Sequence, residues 1–203
     1  MGVDQRVGIL GGTFDPIHFG HLAAAQEVAW TLNLERILFI PTHQQPLKQS
    51  ESSSGPEHRL AMVRLATASN PLFDVNTVEL DRGGVSYTVD TLRALRQADA
   101  STAYWLILGT DALVDLGRWH RPEEILGMAE IAAVHRAGWE RATLDAMYAE
   151  VPSARGRVQH IPIPGLDISA TDLRGRLQDG RPIRYLVPDA VEAYIREQGL
   201  YRR

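Results

Sequence analysis

The fold is decided in one stretch near the start of the chain, Arg6-Val7-Gly8-Ile9-Leu10-Gly11-Gly12-Thr13-Phe14-Asp15-Pro16-Ile17-His18-Phe19-Gly20-His21. Its first part, Arg6–Leu10, is short and apolar, which predicts a buried strand that enters a turn at Gly11 and Gly12. From His21 to Leu32 apolar side chains recur at helical spacing, which predicts a helix. The stretch therefore predicts a strand–turn–helix unit at the start of an α/β fold.

The same alternation of short apolar runs and helical patterns continues along the chain. Further strands are predicted at Arg36–Ile40, Phe73–Leu80, Tyr104–Leu108, Ile131–His135 and Val158–Pro162. Helices are predicted at Glu57–Ser69, Thr88–Ala98, Ala112–Leu116, Glu123–Met128, Leu144–Glu150, Ala170–Gln178 and Asp189–Gln198. Repeated strand–helix units predict a Rossmann-like parallel sheet with helices on both faces. We expect residues 1–203 to form one domain, with a small C-terminal helical segment from about residue 168.

The turns after three of the predicted strands are the expected place for a ligand. In parallel α/β sheets, ligands bind beyond the carboxyl ends of the strands. The turn at Gly11 and Gly12, the turn that carries His43 and the turn at Gly109 are all predicted on that edge. The polar segment Thr42–Pro56 is predicted to be a mobile loop that acts as a lid.

Composition excludes several classes of protein. The formal net charge of −4 argues against a general nucleic-acid binder, and the absence of cysteine excludes disulfides and thiolate metal sites. No apolar stretch approaches the roughly 18–20 residues of a membrane helix, and the first residues do not resemble a signal peptide. We therefore expect a cytoplasmic protein without a membrane or nucleic-acid partner, and leave a homo-oligomer open.

The glycines and histidines of the opening stretch are the first candidates for chemistry. Gly11 and Gly12 allow a phosphate to approach bare backbone amides, and a helix N-terminus favours anions. His18 and His21 are three residues apart at the start of that helix, so both imidazoles can stabilise charge on a phosphoryl group. Alternatively, the glycines only make a turn and the histidines cap or pack the helix. A zinc site has weak support, because no cysteine or carboxylate partner lies nearby in the sequence.

Two common nucleotide-binding patterns are missing from the sequence. There is no Gly-x-x-x-x-Gly-Lys-Ser/Thr, so the chain is not a P-loop protein. No Gly-x-Gly-x-x-Gly follows the first strand, and the second strand ends in Pro41-Thr42-His43 rather than in an acidic residue. An NAD-dependent dehydrogenase is therefore disfavoured.

Two segments resemble signatures of the nucleotidylyltransferase superfamily. His18-Phe19-Gly20-His21 matches His/Thr-x-Gly-His, and Ile168-Ser169-Ala170-Thr171-Asp172-Leu173-Arg174 resembles a second element, Ile-Ser-Ser-Thr-x-Ile-Arg. Within the superfamily the chain most resembles the nicotinate-nucleotide adenylyltransferases. Further matching segments are Ser86–Leu92, Gly109–Asp111, Leu116–Trp119 and Val187–Tyr201.

The resemblance implies an activity and a set of roles. The chain would join the AMP part of ATP to nicotinate mononucleotide, with Mg²⁺ on the triphosphate. His18 and His21 would be catalytic. ATP would be bound by Gly11, Gly12, Thr13, Phe14, Ser169, Thr171 and Arg174. The acceptor's phosphate and the ribose would be bound by Lys48 and Asp111, respectively, and the nicotinate ring by Thr88, Trp119 and His120.

The sequence departs from the family at two positions. The family's Pro-Pro-His-Lys is Gln45-Pro46-Leu47-Lys48 here, so a histidine contact is absent or is supplied by His43. The second serine of the C-terminal element is Ala170, which removes a hydroxyl.

Several of these residues also have ordinary structural interpretations. Ser169 and Asp172 form a good capping box without any ligand. Arg174 and Lys48, the lone lysine among 21 basic residues, could be solvated surface residues, and Trp119 could be a core residue. The alternatives are a nicotinamide mononucleotide adenylyltransferase, another adenylyl- or cytidylyltransferase, and a non-enzymatic module that senses nucleotides or binds another protein. The sequence alone does not discriminate acid from amide.

Overall fold

The computed structural model describes residues 5–46, 54–135 and 144–202. Within these ranges, six strands form one sheet: β1 (Arg6–Gly12), β2 (Arg36–Pro41), β3 (Phe73–Val75), β4 (Ala103–Gly109), β5 (Ala129–His135) and β6 (Val158–Pro162). Their order across the sheet is β3-β2-β1-β4-β5-β6, and every neighbouring pair is parallel. The predicted Rossmann-like α/β fold is confirmed.

The helices follow the predicted positions closely. The described residues form α1 (Phe19–Leu32), α2 (Pro56–Thr67), α3 (Val78–Arg82), α4 (Thr88–Ala98), α5 (Thr110–Val114), α6 (Pro122–Met128), α7 (Asp145–Glu150), α8 (Ala170–Gln178) and α9 (Asp189–Glu197). Short 3₁₀ turns lie at Leu116–Arg118 and Pro152–Ala154. None of the helices in the described ranges is both long and apolar enough to cross a bilayer.

The sheet is buried on both faces, as its continuous apolar strands require. Successive side chains of a strand point to opposite faces. In β2, Ile37 and Phe39 accordingly join the core that contains residues of α1, α2 and α9. Leu38 and Ile40 join the opposite core, which contains the buried side chains of α4. The two cores hold the strand ends in fixed register at the edge where the candidate site lies.

One predicted strand is wrong in its second half. The prediction of a strand over residues 73–80 holds only to Val75, and α3 follows from Val78. The Asn76 side-chain oxygen accepts a hydrogen bond from the Val78 backbone N–H at 2.9 Å, which turns the chain out of the sheet. Within the described part of the chain, β3 is also an edge strand that pairs only with β2, so little backbone pairing opposes this turn.

The carboxyl ends of β1, β2 and β4 meet at one edge, as the sequence predicts. Gly12 at the end of β1 lies beside Pro41 at the end of β2, and the Thr42 N–H donates to the Gly12 carbonyl at 2.9 Å. The chain leaves β1 towards β2 on one side, while β4 lies on its other side. Such a reversal of strand order opens a crevice at the switch point, the usual ligand site of this architecture.

The predicted loop over residues 42–56 is only partly described. Residues 42–46 and 54–56 are described, whereas Leu47 and Lys48 lie outside the described residues.

Candidate active site

The turn after β1 has an unusual backbone that is held by ring packing. Phe14 has a φ of 50°, in the left-handed region that costs energy for a residue with a side chain. Its ring is buried and lies so close to Gly12 that a Cβ there would be 3.1 Å from the ring. A side chain at Gly12 would therefore crowd the Phe14 ring and cover the backbone of the turn.

His18 and His21 form one stacked pair at the start of α1. Their ring centroids are 3.7 Å apart with an interplanar angle of 24°. The His18 backbone N–H donates to Nδ1 of His21 at 3.2 Å, and His18 is the N-cap residue of the helix. The edge of the Phe14 ring packs against His21 with 5.2 Å between centroids. The structure thus brings together both predicted catalytic residues, and the capping interpretation is also correct for His18.

The hydrogen bond from His18 fixes the protonation pattern of His21. Because Nδ1 accepts a hydrogen bond, the remaining proton of the neutral ring is on Nε2. Desolvation, followed by the electrostatic effect of His18, lowers the pKa of His21 well below its usual range. His21 is therefore neutral at pH 7 without ligand, and it presents one N–H donor from Nε2.

Gly20, which the sequence analysis did not single out, makes room for this pair. A Cβ at Gly20 would lie 3.0 Å from the His18 ring, closer than such atoms normally approach. The same Cβ would be 3.9 Å from the carbonyl oxygen of Ile168. The glycine between the histidines therefore leaves room for the His18 ring, and it lies beside the second signature segment at Ile168.

The second segment, residues 168–174, meets the first through Arg174. One guanidinium nitrogen of Arg174 donates to the Asp15 carbonyl at 2.7 Å, and another donates to the Thr171 hydroxyl at 3.4 Å. Ser169 caps α8 by accepting from the Asp172 N–H at 3.1 Å, as the capping interpretation predicts. Ser169 and Thr171 are exposed at the helix start, so their hydroxyls remain accessible.

A buried polar cluster supports the turn from beneath and was not predicted. Asp15 is 4% exposed, and its carboxylate accepts a hydrogen bond from the Tyr201 hydroxyl at 2.6 Å. The Ser54 hydroxyl donates to the same carboxylate. Burial, together with the hydrogen bond to Asp15, raises the pKa of Tyr201, so its hydroxyl stays protonated as a donor. The C-terminal tail therefore helps to fix the turn, over a sequence separation that no local pattern reveals.

Two loops beside the crevice bind each other. The backbone N–H of His43 donates to the Ser86 hydroxyl at 3.0 Å, and the Ser86 N–H donates to the Gln44 carbonyl at 2.8 Å. Nδ1 of His43 lies 3.0 Å from the Gly84 carbonyl. The His43 ring thus contacts the neighbouring loop. That His43 supplies the contact of the family's histidine, which is Leu47 here, stays a prediction.

The predicted ring-binding residues fall on neighbouring helix ends and turns. Thr88 is the first residue of α4, and its neighbour Tyr87 packs against His120 with 4.8 Å between ring centroids. Trp119 is partly buried and packs against two apolar clusters, so the core interpretation accounts for part of its surface. Asp111 is exposed in the first turn of α5, directly beyond the end of β4.

The described residues do not contain a ready metal site. Among residues 5–46, 54–135 and 144–202, no group of three or more His, Asp or Glu side chains lies close enough together to hold a metal ion. The His-x-x-His pair therefore lacks further described ligands of the kind that a zinc site requires.

Comparisons with known proteins agree with this geometry. A family model described as cytidylyltransferase-like matches residues 9–176. A protein of Herpetosiphon aurantiacus is 52% identical over 97% of this chain and 98% of its own length. A protein of Roseiflexus sp. is 53% identical over the same shares of the two chains. Both are named "Probable nicotinate-nucleotide adenylyltransferase".

Solved structures show the same fold at low sequence identity. Nicotinic acid mononucleotide adenylyltransferase of Plasmodium falciparum, complexed with APC, matches with a TM-score of 0.77 and 18% identity over 97% of each chain. The same enzyme complexed with NaAD matches with a TM-score of 0.78 over the same shares. The matches by sequence and by fold together show that the chain belongs to the cytidylyltransferase-like family, among the nicotinate-nucleotide adenylyltransferases.

Proposed function

We propose that the chain transfers AMP from ATP to nicotinate mononucleotide, giving nicotinate adenine dinucleotide and pyrophosphate in NAD biosynthesis. The observation that carries this proposal is the stacked pair of His18 and His21 at the start of α1, beside the bare turn after β1. Relatives that are more than half identical over nearly the whole chain carry the corresponding enzyme name, which supports the choice of substrates.

The reaction needs positioning and charge stabilisation rather than a base. A phosphate monoester has a second pKa near ~6, so the acceptor phosphate is already largely dianionic at neutral pH. One of its oxygens attacks the α-phosphorus of ATP and forms a new P–O bond. The bond between the α-phosphorus and the bridging oxygen breaks in line, and pyrophosphate leaves with the electron pair.

The nucleotide side would bind ATP through both signature segments. The backbone of Gly11, Gly12, Thr13 and Phe14 would face the phosphates. Nε2–H of His21 and the His18 ring would stabilise the charge on the α-phosphoryl group and the leaving pyrophosphate. Ser169, Thr171 and Arg174 would bind the outer phosphates. The proximity of Arg174 to Asp15 supports one shared phosphate site for both segments.

The acceptor side would bind the pyridine ring and its carboxylate at the start of α4. The amides of Thr88 and Val89, the first residues of this helix, donate to no acceptor in the described part of the chain. A helix N-terminus with open N–H donors favours an anion over a neutral amide. This feature supports nicotinate rather than nicotinamide as the substrate group. Trp119 and His120 would contact the ring, Asp111 the ribose and Lys48 the phosphate.

Mg²⁺ would reach the site on the ATP phosphates. Mg²⁺ keeps several waters and is commonly bound through substrate phosphates rather than through a protein cage. Among the described residues, no group of three or more His, Asp or Glu side chains could hold the ion by itself, so the substrate phosphates would supply most of its ligands. The ion would neutralise phosphate charge, while the protein's own residues orient the two substrates.

The proposal is tested by pyrophosphate release from ATP and Mg²⁺ with three rival acceptors. Nicotinate mononucleotide should give the highest kcat/KM, above nicotinamide mononucleotide and phosphopantetheine. A higher kcat/KM for the amide would transfer the assignment to the alternative substrate. Binding of ATP without pyrophosphate release from any acceptor would favour a nucleotide sensor.

A further inference from the structure

Arg59 is a buried cation that none of the proposed substrate contacts uses. It lies in α2, only 1% exposed, beneath the edge of the sheet where β1 and β2 end. Burial lowers the pKa of its guanidinium, and the negative charges of Asp15 and Glu57 partly offset this effect. Burying a charge is costly unless it is well bonded, so the contacts of this side chain indicate what it does.

The guanidinium group of Arg59 connects two loops of the site. Nη1 donates to the Thr13 carbonyl at 2.9 Å and to the Thr42 carbonyl at 2.7 Å. Nη2 donates to the His43 carbonyl at 3.4 Å. Thr13 belongs to the turn after β1, whereas Thr42 and His43 follow β2. A single planar group therefore sets the spacing of these two segments, which lysine with its single ammonium nitrogen cannot reproduce.

Holding a carbonyl also fixes the direction of the next amide. A trans peptide unit is planar, so its N–H points away from its C=O. Because Arg59 binds the Thr13 carbonyl, the N–H of Phe14 points away from Arg59, and it donates to no acceptor among the described residues. This amide belongs to the backbone that we propose faces the ATP phosphates.

Arg59 also fixes the peptide unit between Thr42 and His43, which leads to the acceptor side of the proposed site. Arg59 binds the Thr42 carbonyl, and the N–H of the same peptide unit, that of His43, donates to the Ser86 hydroxyl at 3.0 Å. Ser86 lies two residues before Thr88, where α4 begins. The orientation of this peptide therefore links Arg59 to the start of the proposed nicotinate site.

We propose that Arg59 is a positioning residue for adenylyl transfer. It fixes the Phe14 amide, on the nucleotide side, relative to the segment that contains Ser86, on the acceptor side. The inference rests on the proposed function for the identity of the two substrates. It assigns to Arg59 no contact with either substrate, since the side chain is enclosed beneath the loops.

The chain contains a matched control in Arg96. This arginine also donates to three backbone carbonyls, those of Ala100 at 3.1 Å, Thr102 at 2.8 Å and Met128 at 2.7 Å. These carbonyls lie near the amino ends of β4 and β5, opposite the edge that carries the proposed site. Replacing either arginine with lysine removes the same kind of fork, but only Arg59→Lys should change the geometry of the site.

The experiment compares kcat and both KM values of Arg59→Lys and Arg96→Lys, well below their measured Tm. Displacing reacting groups by about 1 Å can cost on the order of 100-fold, so Arg59→Lys should lower kcat by about 10- to 100-fold and raise the acceptor KM. Arg96→Lys should lower Tm while its kcat stays within about twofold of the wild type. An Arg59→Lys protein with a lower Tm and unchanged kinetic constants would overturn the proposal.

Ser86→Ala tests the same connection from the other end. It should raise the acceptor KM and leave the ATP KM unchanged, and its effect on the acceptor KM should be less than additive with Arg59→Lys. Additive effects would show that the two residues act independently. If Arg59→Lys does not fold, Ser86→Ala decides alone, and an unchanged acceptor KM overturns the proposal.

Equilibrium binding separates this proposal from the proposed function. Affinity for an ATP analogue with a non-cleavable α,β-bond should fall in Arg59→Lys and not in Arg96→Lys, whatever the acceptor. If the wild-type protein catalyses no adenylyl transfer, the proposed function is rejected. Binding of the analogue would still test whether Arg59 positions the Phe14 amide. Equal affinities of the two variants would reject that role of Arg59.

Discussion

The two signature segments differ in how firmly the protein holds them. In the first, residues 11–21, Phe14 and His18 are buried, and the His21 ring contacts the rings of both. In the second, residues 168–174, Ser169 and Thr171 are exposed at the start of α8. A group that is fixed before the substrate binds can stabilise a transition state without reorganising, whereas an exposed group can adapt to bound ATP.

This difference predicts a division of labour between the segments. Substitutions in the enclosed segment should mainly lower kcat. Those in the exposed segment should mainly raise the KM for ATP. Measuring kcat and KM separately distinguishes the two roles. Loss of a contact that is equally strong in the ground state and the transition state raises KM alone, whereas loss of a contact made only in the transition state lowers kcat.

The largest effect is expected for His21→Ala. It removes the N–H donor at Nε2, and loss of one such donor typically costs about 10²–10³ in kcat. His58→Ala is the control, since the His58 ring contacts Tyr194 of α9 and has no proposed substrate contact, and its kcat should stay within about twofold. Near-normal turnover in His21→Ala would reject the role of the enclosed segment.

A smaller effect, on the KM for ATP, is expected for Arg174→Gln. Hydrogen bonds to charged groups contribute about 1.5–3 kcal/mol, which corresponds to a rise of about 10-fold or more in KM. Arg176→Gln is the matched control on the same helix, because Arg176 pairs with Asp172 at 2.6 Å. A loss of kcat in Arg174→Gln as large as that in His21→Ala would remove the distinction between the segments.

A third region, the acceptor side, should respond independently of both segments. Trp119→Leu should raise the KM for nicotinate mononucleotide by about 2- to 10-fold, the range that aromatic contacts typically give. It should also lower Tm, since Trp119 packs against two apolar clusters. Trp30→Leu, at a residue that is 80% exposed, is the control. A changed KM for ATP alone would contradict the assignment of Trp119.

The smallest expected effect is a change in the pKa of His21 when a triphosphate binds. In the free protein its pKa lies well below the usual value, so its contribution to stability is present at neutral pH and is lost as the pH falls through the folded-state pKa. Bound triphosphate should raise this pKa, because nearby negative charge favours the imidazolium form. NMR titration with and without a non-cleavable ATP analogue measures both values, and an unchanged pKa would place the phosphates away from His21.

Local sequence patterns predicted most of the fold because the strands and helices have clear periodicity. The helix over residues 88–98 and the strand over residues 158–162 have the predicted bounds. The strand over residues 73–80 was wrong after Val75, where a side-chain hydrogen bond from Asn76 turns the chain. Apolar periodicity carries no information about such a local polar contact.

The candidate site was predicted through its two signature segments, but not through what supports them. Tyr201 bonds to Asp15 across 186 positions, and Arg59 bonds to Thr13 across 46. Only the folded chain brings these partners together, and each looks like an ordinary tyrosine or arginine in the sequence. The sequence offered only their residue types as a hint, since a buried arginine or tyrosine requires polar partners.

The central claim is tested most directly by following the α-phosphate of ATP. With ATP labelled at the α-phosphorus, Mg²⁺ and nicotinate mononucleotide, the label should appear in nicotinate adenine dinucleotide, in equal amount to the pyrophosphate released. Label found only in AMP or ADP, or no dinucleotide at all, would contradict adenylyl transfer to this acceptor.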